Sequence, residues 1–319
     1  MRIPKKIVTK LFFGVSLLLF IFFVKQFLLP VFLFSEVDID GNITNYIYHN
    51  NLRRSYVVHQ PENYDASKSL PLVFAFHCAG SNAQIMIRLT NLNKLSDEEN
   101  FLVVYPNGTG LFENYLLTWN AGGCCDFIGP VVDDVDFTKT VFAQLQEDYN
   151  IDLNRVYVLG FSNGAMMAHR LGCELSDKLA AIAPVSGSLV EGGCDPEDFL
   201  SVISLHSKDD TFVPFYGGEA DRWFINMFDV NFPPVEDSIR FWADHNKCAR
   251  GPEIKKEGAI ELEKYTNCKN NTEVYFYSLE GYDHVWLGGG RGVLPMDISD
   301  DIIISDVIWD FFENHPKKR

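Results

Sequence analysis

Ser162 lies in Gly160-Phe161-Ser162-Asn163-Gly164, a G-x-S-x-G pattern. The pattern follows an apolar run, Val156 to Leu159, and precedes a stretch of helical character. In that setting the two glycines permit a sharp strand-to-helix turn that holds the serine hydroxyl strained and exposed. A serine hydroxyl is a poor nucleophile until a base takes its proton. An imidazole and a carboxylate to orient it are therefore required, and in a strand–turn–helix nucleophile fold they follow in the order serine, acid, histidine.

His284 meets that order, on a loop between Gly281 and Gly288 after a strand ending at Leu279. His49, His59, His77 and His169 lie outside the window, and His206 ends a strand ahead of the acid. His245 falls in a helical stretch and His315 in the terminal tail. The acid has two adjacent candidates, Asp209 and Asp210, directly after the strand Val202 to His206. Its task is to accept from one ring nitrogen, fix the tautomer and stabilise the imidazolium. Residue type leaves the choice between neighbours open. Asp283 reads as a surface or turn residue whose charge, beside His284, favours the imidazolium and moves the activity optimum upward.

The elements that must carry these residues alternate along the chain. Arg54 to His59, Leu70 to Phe76, Phe101 to Tyr105, Arg155 to Leu159, Ala180 to Val185, Ser201 to His206 and Glu273 to Leu279 read as strands. Continuous apolar runs such as Leu70 to Phe76 are expected of strands buried on both faces. Ala83 to Glu99, Asp133 to Tyr149, Asn163 to Leu175, Val235 to Asn246 and Asp301 to Asn314 have helical character. The alternation predicts an α/β fold, a mostly parallel central sheet with helices on both faces. No repeat or linker interrupts residues 53–319, which read as one domain. Asp133-Asp134 reads as a helix cap. Tyr216 to Pro234, between acid and histidine, is rich in aromatic and turn residues and reads as a lid or substrate rim.

The 319 residues carry 27 Lys+Arg and 43 Asp+Glu, with 47% hydrophobic residues, a globular composition that excludes disorder. Residues 1–34 hold five of the bases and no acid, leaving 22 bases against 43 acids in the remainder. Such a body repels phosphate backbones, which argues against nucleic acid as a partner. The uncharged run Leu11 to Val24 after Lys5, Lys6 and Lys10 suits a secretory signal. Joined across Lys25 to Phe27 to Phe34, it suits a membrane anchor. The absence of an A-x-A pattern before Ser35 favours the anchor. Either way the body is exported, with residues 35–52 as a polar tether.

Export suits seven cysteines, Cys78, Cys124, Cys125, Cys173, Cys194, Cys248 and Cys268. No paired C-x-x-C frames a metal site. Cys248 and Cys268 are the preferred bridge. Cys124 and Cys125 are expected to bond to separate partners, with Cys173 and Cys194 available, leaving Cys78 free. Asn42-Ile-Thr, Asn107-Gly-Thr and Asn270-Asn-Thr are glycosylation sequons.

Several further segments carry a resemblance. They are Arg54-Ser-Tyr-Val-Val, His77-Cys-Ala-Gly-Ser-Asn-Ala, Val104-Tyr-Pro-Asn-Gly-Thr, Trp119-Asn-Ala-Gly-Gly-Cys-Cys and Val132-Asp-Asp-Val-Asp-Phe. Downstream are Arg155-Val-Tyr-Val-Leu-Gly-Phe-Ser-Asn-Gly-Ala-Met-Met-Ala, Ala180-Ala-Ile-Ala-Pro-Val-Ser-Gly, His206-Ser-Lys-Asp-Asp-Thr-Phe-Val-Pro-Phe and Gly281-Tyr-Asp-His-Val-Trp. From about Arg54 to His315 the chain resembles polyhydroxybutyrate depolymerase-like carboxylesterases, a group that includes feruloyl and acetyl xylan esterases of carbohydrate esterase family 1.

The resemblance implies an α/β-hydrolase fold and a Ser162–Asp210–His284 triad, choosing Asp210 over its neighbour. It implies an oxyanion hole from the backbone N–H groups of Asn163 and Ala79. The group usually has glycine where Cys78 stands, and a Cβ there costs about 1 kcal/mol or more if the position needs positive φ. Trp119 and Trp286 are candidate substrate walls. The implied reaction is hydrolysis of a polysaccharide- or polyester-linked ester through an acyl-enzyme, with no metal or organic cofactor. A serine peptidase with the same triad and a non-catalytic binding protein are the alternatives.

Overall fold

The run Leu70-Pro-Leu-Val-Phe-Ala-Phe forms a strand whose side chains alternate between two cores. Leu72, Phe74 and Phe76 enter one apolar layer, and Val73 and Ala75 enter the other. Period-two alternation into a core on each side makes such a strand apolar at every position. The computed structural model describes residues 42–112, 115–122, 132–190, 193–226, 230–290 and 301–318.

In chain order the strands are β1 (Asn42–His49), β2 (Leu52–His59), β3 (Leu70–Phe76), β4 (Leu102–Pro106), β5 (Thr109–Phe112) and β6 (Tyr115–Thr118). They continue with β7 (Ile151–Phe161), β8 (Ala181–Val185), β9 (Ser201–Ser207), β10 (Arg250–Glu257), β11 (Ile260–Thr266) and β12 (Val274–Leu279). The helices are α1 (Ala83–Thr90), α2 (Leu92–Glu99), α3 (Asp134–Asp148), α4 (Asn163–Glu174), α5 (Trp223–Asn226), α6 (Val235–His245) and α7 (Ile304–Asn314).

The main sheet runs β1-β2-β4-β3-β7-β8-β9-β12-β11-β10. Its middle, from β4 to β12, is parallel, with antiparallel strands at both edges. This is the expected α/β-hydrolase architecture. One core packs α1, the start of α2 and α7 against the sheet; the other packs α3, α4 and α6. From β3 the chain passes to β4 on one side, while β7 lies on the other. The crevice beyond the carboxyl ends of β3 and β7 is thus a topological switch point, where open α/β sheets place ligands.

Several expectations need correction. Residues 42–49 of the supposed tether form β1, paired along its length with β2, so among the described residues the sheet includes a strand ahead of residue 53. The stretch Ala83 to Glu99 is two helices, because Asn91 adopts the left-handed conformation at φ 54° and ends the first. The β10–β11 hairpin is an addition to the expected elements: every residue of β10 is exposed, so that strand has no buried face to give an apolar period. Cys248–Cys268 is bridged as expected and Cys78 is free, but Cys173 bonds to Cys194, so neither is available to Cys124 or Cys125. Those two residues lie outside the described residues, as does the segment 1–34. Among the described residues no helix is long and apolar enough to cross a membrane. Asn107 cannot serve as a glycan acceptor in the fold, because its buried amide donates to Ser55 Oγ and accepts from the Ala83 N–H.

Candidate active site

Ser162 follows the last residue of β7 and caps α4, with φ 59° and ψ −120°. A side chain in this region is strained, and surrounding contacts hold it there. Ser162 N–H donates to Val185 O at 2.9 Å. The flanking glycines are required by close approach. A Cβ on Gly160 would come within 2.0 Å of Gly164 O, and one on Gly164 within 2.2 Å of Phe76 O. Asn163 is the first residue of α4, so its N–H has no acceptor within the helix and points out of the helix start beside the serine.

The loop after β3 approaches the same point and is fixed from below. Gly108 N–H donates to His77 Nε2 at 3.0 Å, which places the ring proton on Nδ1 and directs it to Cys78 O at 2.8 Å. Burial lowers His77 to about 4, so it stays neutral in this role. Positive φ falls on Gly80 at 74°, and Cys78 is not among the positive-φ residues. The side chain at 78 therefore does not carry the strain foreseen for it. The Cys78 thiol packs on the core, and burial pushes it up to about 11. Ala79 is exposed at the mouth of this loop.

Trp119 and Trp286 do not form substrate walls. Trp119 is fully buried; its Nε1 donates to His77 O at 2.9 Å. Its backbone N–H and C=O pair with the Asn163 side chain at 2.8 and 3.1 Å. Trp286 is 3% exposed, donates to Ser305 Oγ, and packs edge-on against Phe161. Both tryptophans support the serine turn from inside. A buried pair, Arg54 with Asp134 at 2.7 Å, braces the Trp119 segment, because Asp134 also accepts from the Asn120 N–H. Asp133 caps α3 through the Asp136 N–H, as expected.

The adjacent carboxylates after β9 divide the work. Asp210 Oδ2 accepts from His284 Nδ1 at 2.7 Å, while Oδ1 accepts from the N–H groups of Phe212 and Val213 at 2.8 Å each. Burial works to raise Asp210, but the charge and hydrogen bond of His284, aided by His206 and Val213, hold it below its ordinary value. Asp209 turns the other way and accepts from Gly281 N–H at 2.7 Å, anchoring the start of the histidine loop. The imidazole packs against Phe161, the residue before Ser162, at 4.8 Å and stacks on Phe212 at 4.9 Å. With Nδ1 donating to Asp210, the free lone pair of the neutral ring is on Nε2.

The sequence sets His206 aside as the base, rightly, since it lies in β9, but does not show its place behind the acid. It is fully buried, donates from Nε2 to Val213 O at 2.8 Å, and stands 3.4 Å from Asp210. Its spacing of four before Asp210 was the available signal. Asp283 does not confront the imidazole as a lone charge. Thr211 donates to one carboxylate oxygen and Arg222 to the other. Among the described residues no group of three His, Cys, Asp or Glu could hold a metal ion.

A family model described as esterase PHB depolymerase matches residues 54–213, a span that includes Ser162 and Asp210 and stops short of His284. Feruloyl esterase B from Piromyces equi is 26% identical over 245 residues, covering 75% of this chain and 44% of that protein. A bifunctional acetylxylan esterase/xylanase from Neocallimastix patriciarum is 29% identical over 277 residues, covering 84% of this chain and 34% of that one. The chain thus spans less than half the length of these two relatives. The solved acetyl xylan esterase from Aspergillus awamori superposes with a TM-score of 0.57 at 13% identity, over 85% of this chain and 99% of that one, and so shares the fold.

Proposed function

We propose a serine carboxylesterase, since this chain belongs to the esterase PHB depolymerase family and carries an acid–imidazole pair packed on Phe161, the residue before a strained serine. The observation that carries the reading is the 2.7 Å His284–Asp210 hydrogen bond, with the ring packed on the residue preceding Ser162. The protein is a carboxylic ester hydrolase, and its reaction is acyl transfer. His284 Nε2 takes the Ser162 proton as Oγ bonds to the ester carbonyl carbon. The carbonyl electron pair moves onto oxygen, where the N–H groups of Asn163 and Ala79 stabilise it. As the tetrahedral species collapses, the C–O bond to the alcohol breaks and His284 returns the proton to the leaving oxygen. Water then repeats the sequence on the acyl-enzyme. Asp210 holds the tautomer and stabilises the imidazolium at each stage.

The substrate class is an ester of a feruloyl or acetyl group on polysaccharide, or of a hydroxyalkanoate oligomer. Relatives named as feruloyl and acetylxylan esterases support the first pair, and the family description supports the last. Function outside the cytoplasm is supported by the Cys173–Cys194 and Cys248–Cys268 bridges, which suit an oxidising compartment.

Ser162→Ala assayed on p-nitrophenyl acetate tests the mechanism. Turnover is expected to fall by at least about 10³-fold, and equal turnover would overturn the assignment. Methyl ferulate, acetylated xylan and a hydroxybutyrate trimer, compared by kcat/KM, identify the ester.

A further inference from the structure

Arg222 belongs to the segment between acid and histidine and has no part in the chemistry above. Its Nε donates to Thr211 Oγ1 at 2.8 Å, and its Nη2 donates to Asp283 Oδ2 at 2.6 Å. The guanidinium lies over the Phe212 ring at 4.8 Å, and Phe212 stacks on the His284 imidazole at an interplanar angle of 21°. Thr211 completes the bridge, donating from both N–H and Oγ1 to Asp283 Oδ1. One planar fork thus touches the residues immediately after the acid and the residue immediately before the base. Near Arg222, Gly218 and Phe232 pair through their backbones, and Asp221 N–H donates to Thr211 O.

We propose that Arg222 is a positioning residue that fastens the Asp210 loop to the His284 loop and so sets the geometry of the acid–base pair. The inference rests on the esterase reading, in which His284 is the base. A guanidinium suits this task because its donors leave in one plane and its face stacks on a ring. Lysine, a point charge, meets only part of it. Registering two loops that approach from different strands matters because about 1 Å of misplacement can cost roughly 10²-fold in rate. Among the described residues, the charged or titratable groups around the imidazole are Asp210 and His206 from β9 and its loop, Asp283 next to it in the chain, and Arg222, which lies over the Phe212 ring. Arg222 and Asp283 neutralise one another there.

The test is steady-state hydrolysis of p-nitrophenyl acetate across pH by the full chain and by Arg222→Met, Asp283→Asn, the double variant and Arg222→Lys. Arg222→Met is expected to lower kcat by about ten- to a hundredfold with KM within about twofold. It leaves the Asp283 charge uncompensated, which favours the imidazolium, so the acid limb of kcat/KM moves to higher pH. Asp283→Asn leaves Arg222 uncompensated and moves that limb to lower pH. The double variant returns the limb to its original midpoint, and Arg222→Lys restores the midpoint but only part of kcat. Midpoints that stay fixed or move in the same direction, or kcat losses that merely track melting temperature, would overturn the proposal. Ser162→Ala in the same assay separates the two readings. If it is inactive while the Arg222 variants match wild type, only the positioning role fails; if it is fully active, the esterase mechanism fails.

Discussion

Around Ser162 the supporting ion pair is dry, and around His284 it is wet. Arg54 and Asp134 meet at 2.7 Å with side chains 3% and 0% exposed, whereas Arg222 and Asp283 meet at 2.6 Å with side chains 40% and 37% exposed. The distances are nearly equal, so the surroundings decide what each pair does. At the dry pair, burial pushes Arg54 down and Asp134 up, each toward its neutral form, and each is the other's main counter-charge. Removing either partner strands a buried charge. At the wet pair, water and salt screen the attraction, and little stability is at stake. The Ser162 half is therefore fixed by folding itself, while the Asp210–His284 half is held in register by contacts that adjust geometry more than stability.

The comparison breaks most readily at Arg54. Arg54→Met is expected to destabilise the fold by about 3–5 kcal/mol, read from urea unfolding, and a loss below about 1 kcal/mol would mean that the dry pair is not a structural brace.

Acid sharpens the comparison next. His77 and His169 are buried and neutral, lowered by burial to about 4 and about 3 from 6.5. The unfolded chain binds a proton at each near pH 6.5 and the folded chain only at much lower pH. Their contribution to stability is complete above pH 6.5 and is lost as pH falls toward 4, at up to about 1.4 kcal/mol per pH unit for each ring. His169→Gln keeps an acceptor for Trp242 Nε1, which now donates to His169 Nδ1 at 3.0 Å, and should remove about half of that loss.

Trp119→Phe deletes the donor to His77 O without emptying the core, at an expected cost of about 1–3 kcal/mol. The smallest effect belongs to the wet pair. Arg222→Met should move stability by less than about 1 kcal/mol, and raising NaCl to about 0.5 M should shrink its kinetic effect while leaving the Arg54→Met penalty unchanged. A salt response at the dry pair would dissolve the distinction.

The strand–helix alternation, the G-x-S-x-G turn and the position of His284 were legible in the sequence because each is a local pattern: apolar runs, small residues at fixed offsets, chain order. The resemblance chose Asp210, and the fold shows why both aspartates are present, one bonding the imidazole and the other Gly281. Tryptophan identity misled, because an amphipathic ring suits a substrate wall and a core wedge equally; only the fit of Trp119 beneath the serine turn distinguishes them. β1 was hidden by its polar, Asn-rich surroundings, and β10 by having every residue exposed, which leaves that strand no buried face.

By itself the chain determined which side chains can do chemistry and in what order they follow one another, because short-range sterics and hydrophobic periodicity act between near neighbours. Tertiary structure alone decided that Arg222, Asp283 and Phe212 meet, that His206 stands behind Asp210, and that Cys173 bonds to Cys194. Those contacts arise where loops from separate strands converge, and no local preference encodes the convergence.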